Sequence, residues 1–320
     1  MKMNTKGAVD VHCHMVFPCY LEAMRRAGVD PLREDGFPTP DWWDIEKHFA
    51  MMEALNIGRT ILSLSSPHLH FGDDRAACEL SRRINTESAE LRVKYPDRIG
   101  FFACLPMPCV GESVEEAAYA FDVLGAAGVK VASNSRGVYL GDPAFDPLFA
   151  VLNRRGAVVV IHPTRPQAVP ENCFTSGPIP LFEFIVDTTR AVINMIMHGT
   201  LERFPDIKVV VPHSGSFVPW LYSRLTSIQK VLSANGLLEP VDVERSIGKL
   251  YFDIAGPSVP VAIRSLLLIT DTSHILYGSD YPYTPVEMIK TMQEQLLTVP
   301  EIRQAEAAVF RENALRILPD

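Results

Sequence analysis

Eight short runs of apolar, often β-branched residues recur along the chain, each separated from the next by a longer segment with helical periodicity. The predicted strands are Ala8–His12, Arg59–Ser65, Ile99–Leu105, Val129–Ala132, Ala157–His162, Ile207–His213, Leu250–Ala255 and His274–Ser279. Most are apolar at consecutive positions, the pattern of a strand covered on both faces. The predicted helices between them include Trp42–Leu55, Arg75–Tyr95, Ser113–Gly125, Pro180–Arg203 and Pro285–Leu297. Asp41 is expected to cap the first of these, and Gly128, Gly156 and the Phe204-Pro205-Asp206 turn to end helices before a strand begins. Strand–helix alternation predicts a parallel α/β sheet, and a count of eight predicts closure into a (β/α)₈ barrel of the TIM type.

Such barrels take ~250 residues, and this chain has 320. The excess falls in two predicted long loops, Met15–Pro40 and Pro163–Ile179, after strands one and five. Both sit on the C-terminal face, where barrels of this kind place their chemistry. An open doubly wound sheet is the alternative, but no glycine-rich fingerprint follows the first strand. No repeat or linker divides the chain, so residues 1–320 are expected to form one domain.

Composition narrows the function classes. A net charge of −8, from 30 Lys plus Arg against 38 Asp plus Glu, comes with no basic stripe interleaved with aromatics, which argues against nucleic-acid binding. No segment has the length of a membrane helix and no apolar stretch precedes a cleavage site, so neither a membrane span nor secretion is expected. Six cysteines without CxxC spacing read as reduced thiols and point to the cytoplasm.

The polar residues that can bind a metal collect at strand ends. The first strand ends Val9-Asp10-Val11-His12-Cys13-His14, and strict alternation would put Asp10, His12 and His14 on one face. Strand five ends in His162, strand six in His213 and strand eight in Asp280. A single His-x-His pair is weak evidence, because a hydrogen-bonded pair under a loop looks the same. Ionisable groups at the same end of four strands are another matter. A paired imidazole set with a carboxylate suits zinc, manganese or iron.

In this set the chain resembles the amidohydrolase superfamily. The resemblance extends through Gly141-Asp142-Pro143-Ala144-Phe145-Asp146-Pro147-Leu148-Phe149, Ile161-His162-Pro163-Thr164, Leu201-Glu202-Arg203-Phe204-Pro205, Pro212-His213-Ser214-Gly215 and Tyr277-Gly278-Ser279-Asp280-Tyr281-Pro282, and covers His12 to about Asn313. These motifs look like the branch typified by aminocarboxymuconate-semialdehyde decarboxylase, which also holds decarboxylases of salicylate-type acids. The resemblance implies a non-oxidative decarboxylase with one divalent ion, zinc first and manganese second, and a homodimer. By position it implies that His12, His14, His162 and Asp280 hold the metal. His213 would then be an imidazole beside it that is not a ligand, and His213 and Asp280 would carry the proton chemistry. One feature departs: His-Gly-Gly is common after strand six in that family, whereas Ser214 and then Gly215 follow His213 here.

The expected substrate is a small hydroxylated aromatic or related unsaturated carboxylic acid. A hydrolase, lactonase or amidase, with Asp280 as base for a water is the runner-up, and a non-catalytic barrel is a third reading that leaves the metal-binding residues unexplained. Around the site, His68 and His70 form a second His-x-His in a loop. His48, His198 and His274 read as solvated or capping histidines, and Asp253 as either a hydrogen-bonded inward carboxylate or a substrate contact. Phe17, Trp42, Trp43 and Trp220 are candidates for packing a substrate ring. Arg25, Arg26, Arg33 and Arg165 are candidates for gripping a carboxylate, and the resemblance also allows an arginine supplied by a partner subunit.

Overall fold

The computed structural model describes residues 7–30, 35–169 and 177–319. Eight parallel strands form one sheet in chain order: β1 (Ala8–His14), β2 (Ile57–Ser63), β3 (Ile99–Cys104), β4 (Gly128–Ala132), β5 (Val158–His162), β6 (Lys208–Val211), β7 (Tyr251–Asp253) and β8 (Ile275–Leu276). The sheet curls until its first and last members meet. Val11 N–H donates to Tyr277 O (3.0 Å), Asp280 N–H to His12 O (2.7 Å) and His14 N–H to Tyr281 O (2.7 Å). The result is the nearly closed (β/α)₈ barrel that the strand count predicts.

Two apolar cores follow from strand alternation. Val9, Val11, Ile61, Phe102, Val158, Val160, Val210 and Leu276 fill the barrel, and Ala314, Ile317 and Leu318 of the C-terminal segment plug one end. The other face of the same strands, including Cys13, Leu62, Phe101, Val129, Val159, Val209 and Phe252, packs with helix residues in the larger core. Among the described residues no helix is long and apolar enough to cross a membrane.

Several boundaries differ from expectation, each for a local reason. The helix expected over Pro180–Arg203 is a short 3₁₀ turn at Ile179–Leu181, then Glu183–Met197, then Thr200–Arg203, because Gly199 adopts φ 64° and interrupts it. Gly128 lies in β4 instead of ending a helix; the preceding segment stops at Gly125, left-handed at φ 70°. Asp44, not Asp41, caps the helix Ile45–Ala54 by accepting from Lys47 N–H. The segment after β1 is no bare loop, since it contains the helix Pro18–Arg26. The last strand is only two residues long, and Ser279 and Asp280 already lie in the turn beyond it.

The expected alternation in β1 also fails, and the failure matters for the site. The pairing with β2 slips between Asp10 and Cys13, a β-bulge that inserts one extra residue. Val11 therefore stays with Val9 in the inner core while Cys13 joins the outer one. Asp10 does not share a face with His12 and His14. Its carboxylate accepts from Ser279 Oγ–H (2.6 Å) and from the backbone N–H of Ser279 and His12. Burial pushes its carboxyl up to about 7. Asp10 pins β1 to the β8 turn.

Candidate active site

His12 and His14 at the end of β1, His162 at the end of β5 and Asp280 in the segment after β8 are brought together by the barrel. One donor atom each from His12, His14, His162 and Asp280 lies within 4.8 Å of the others. The three imidazoles are buried, with His12 and His14 at 0% exposure. Asp280 leads out of β8 in the left-handed region at φ 60°, and its side chain is 22% exposed. That sparsely populated backbone conformation turns the carboxylate back over the barrel. Its Oδ1 lies 3.1 Å from His14 Nε2 and 3.6 Å from His12 Nε2.

Hydrogen bonds settle which ring nitrogens face the centre. His12 Nδ1–H donates to Asp253 Oδ2 (2.8 Å), which accepts only. Nε2 of His12 is left bare, buried and without a hydrogen-bond partner. His162 Nδ1–H donates to Pro163 O (2.8 Å), again freeing Nε2. Gly278 makes room for this packing: a Cβ there would lie 2.6 Å from the Cβ of His12.

The electrostatics suit a set of residues that could hold a metal ion. Burial, then the nearby Lys130 charge, pushes His14 down to about 3 and His162 well below the ordinary histidine value. Burial opposes ionisation of Asp280, yet the hydrogen bond from His14 and the neighbouring imidazoles hold its carboxyl well below the usual range. At neutral pH His14 and His162 are therefore neutral and Asp280 is ionised, as metal ligation requires, and His14 Nε2–H donates to Asp280 Oδ1, a proton that an ion would displace. For a tetrahedral ion at 2.0–2.1 Å, ligand atoms stand ~3.3 Å apart, and the 3.1 and 3.6 Å separations bracket that value. The donor set fits one divalent ion.

His213 does not join the four. It is predicted as the last residue of its strand, but β6 stops at Val211 and His213 lies in the turn that follows, at φ 55°. Its ring centroid is 5.1 Å from that of His12, and its Nδ1 has no protein partner. Burial, then His12, lowers it to about 4, so it is neutral near pH 7. It lines the adjoining cavity of about 730 Å³ together with His162, Asp280, Phe184, Phe217 and Tyr283.

Two residues behind the ligands escaped the sequence reading in this role. Asp253 does not line that cavity: besides holding His12 it accepts from the backbone N–H of His213 and Ala255 (both 3.1 Å). Its burial raises the carboxyl, but His12 overrides this and the group stays below its ordinary value. Lys130, buried in β4, reaches Ser63 Oγ (2.9 Å) and His14 Nδ1 (3.4 Å), and burial brings it down to about 7. A lone lysine in the apolar run Gly128-Val129-Lys130-Val131-Ala132 is the signal that marked it. Asp253→Asn is expected to lower metal affinity 10–100-fold, the usual effect of removing an outer partner of a ligating histidine. Competition against a chelator measures it, and unchanged affinity would make the Asp253–His12 bond incidental.

The other candidates scatter. The His68 ring lies 5.6 Å from that of His162, while His70 turns to Asp74. His48 is neither solvated nor a cap; it is fully buried, with Nε2 3.0 Å from Thr60 Oγ1. Phe17 and Trp43 pack on each other, Trp42 on Tyr281, and only Trp220 of the four lines the cavity. Arg26 pairs with Glu22 on an exposed helix face, Arg165 borders a separate cleft of about 420 Å³, and Arg33 lies outside the described residues.

Comparison with known proteins decides the family. The amidohydrolase family model matches residues 9–319. The chain belongs to the amidohydrolase family. A decarboxylase of Aspergillus niger is 33% identical over 97% of this amidohydrolase and 87% of its own length. The 6-methylsalicylic acid decarboxylase of Aspergillus aculeatus is 33% identical over 97% and 96%. A solved structure described as an amidohydrolase II is 36% identical with a TM-score of 0.90, covering 97% of this chain and 99% of that one. The 5-carboxyvanillate decarboxylase of Sphingomonas paucimobilis shares the fold at a TM-score of 0.87 over 98% and 99%, at 20% identity. These curated relatives are named as decarboxylases, one of them of 6-methylsalicylic acid, and decarboxylases of this family use a divalent metal.

Proposed function

We propose that this amidohydrolase is a metal-dependent, non-oxidative decarboxylase of a small hydroxylated aromatic acid of the salicylate type. The observation that carries the reading is a three-histidine, one-aspartate cluster opening on a largely apolar cavity. Relatives with a third of their residues in common, over nearly the whole chain, act as decarboxylases by name. The ion, zinc by the tetrahedral spacing of its nitrogen and carboxylate donors with manganese as the alternative, supplies a positive charge that stabilises negative charge developing on the substrate.

The chain's own residues do the rest. Asp280, ionised at rest, takes the proton of the substrate's hydroxyl and hands it to the ring carbon that bears the carboxylate. The bond from that carbon to the carboxylate then breaks, its electrons return to the ring and carbon dioxide leaves. His213, neutral and unpartnered at Nδ1, orients the acid group in the cavity. Phe184 and Phe217 exclude water and offer apolar surface to the ring.

Reaction in heavy water is expected to place one deuterium on the carbon that lost its carboxylate, with one carbon dioxide per turnover. Labelled oxygen appearing in an acid product from a lactone or amide, with no carbon dioxide from any hydroxybenzoate, would replace this reading with a hydrolase. We further infer a homodimer. Leu181, Phe182, Phe217 and Trp220 expose apolar side chains near the cavity mouth, and the Phe182 and Phe217 rings approach to 6.5 Å. Sedimentation should give twice the chain mass of 35.6 kDa, and a monomer at micromolar concentration would refute it. Five free thiols among the described residues suit a reducing compartment, the cytoplasm.

A further inference from the structure

The loop after β2 carries a second group of metal-binding side chains, separate from the four-residue centre. His70 Nε2 lies 2.9 Å from Asp74 Oδ1 and 3.8 Å from Cys109 Sγ. One donor atom from each of the three lies within 4.8 Å of the others. Cys78 follows Asp74 by four residues on the helix Asp74–Lys94, so the two share a face. Cys78 is not among the three residues whose donor atoms all lie within 4.8 Å of one another. The His70 side chain is 6% exposed and Asp74 81% exposed, so the group is anchored on one side and open to solution on the other.

We propose that His70, Asp74 and Cys109 form a second cation site, of the zinc class, which clamps the loop after β2 to the following helix and to the loop after β3. One sulfur, one imidazole and one carboxylate, with the fourth tetrahedral position left to water, make a borderline-soft set that favours zinc over magnesium or calcium. Tetrahedral zinc with 2.3 Å sulfur and 2.0–2.1 Å nitrogen bonds holds those ligands ~3.6 Å apart, close to the 3.8 Å between Cys109 and His70. In the ion-free arrangement His70 Nε2–H points at Asp74 while Nδ1 accepts from Gly72 N–H at 3.2 Å. On binding, the imidazole proton moves to Nδ1, the exposed Gly72 amide turns to water, and the Cys109 thiol proton leaves to solvent.

Cobalt(II) titrated into reduced, metal-free protein tests this, because the four-residue centre contains no sulfur. Two equivalents should bind, one of them giving the thiolate-to-cobalt charge-transfer absorption in the near ultraviolet. Cys109→Ser should remove that absorption and one equivalent, whereas His162→Ala should keep the absorption. Asp74→Asn, at an exposed position that leaves folding undisturbed, should weaken the sulfur-containing site at least tenfold. Binding that ends at one equivalent without thiolate absorption, or absorption that survives Cys109→Ser, overturns the assignment.

Discussion

Changing His162 to Ala is expected to strip the catalytic centre of its ion and reduce decarboxylation to background. On the proposed reading His162 is the only ligand that β5 contributes, and its Nδ1 bond to Pro163 O aims Nε2 at the other three. Alanine leaves two histidines on one strand and a carboxylate, with no imidazole on the opposite side of the barrel. The apolar frame of Val158, Val160 and Val210 is untouched, so the fold should persist. Elemental analysis of parent and variant reads the result directly, with circular dichroism as the control for folding. Equal metal in the two proteins would take His162 out of the ligand set and with it the proposed centre.

His213→Asn is expected to separate chemistry from metal binding. The ring is held beside His12 without belonging to the ligand cluster, so metal content should match that of the parent. Loss of a positioned acid–base or orienting imidazole lowers turnover by ~10²–10⁴-fold. Asparagine keeps a hydrogen-bonding side chain of smaller reach, and the backbone bond from residue 213 to Asp253 survives the change. Metal loss in this variant would make His213 a ligand and redraw the centre.

How far each residue could be read before folding depends on whether its role is local. Strand–helix alternation announced the barrel because a parallel strand covered on both faces must be apolar throughout, and that is written in consecutive residues. His14, His162, His213 and Asp280 stood out because each ends or follows such a run. Cleaner pattern reading would have caught Lys130, a charge inside an otherwise apolar strand. The interruption at Gly199 is also local, and one glycine within a helical pattern was its available signal.

Other features had no local signature. Asp10, His12 and His14 look equivalent in sequence, and only the bulge against β2, set by pairing between strands, turns Asp10 to Ser279 while leaving the histidines to the centre. Asp253 is 241 positions from His12, and its acceptor role exists only because closing the barrel brings β7 within one strand of β1. The His70, Asp74 and Cys109 cluster likewise joins residues from two loops and a helix. By itself the sequence determined the architecture and the ends of strands at which chemistry gathers, because hydrophobic periodicity acts over a few residues. Tertiary structure alone decided which nitrogen of His12 and of His162 is bare and that Asp253 supports His12 from behind, because such hydrogen bonds form only once the barrel closes.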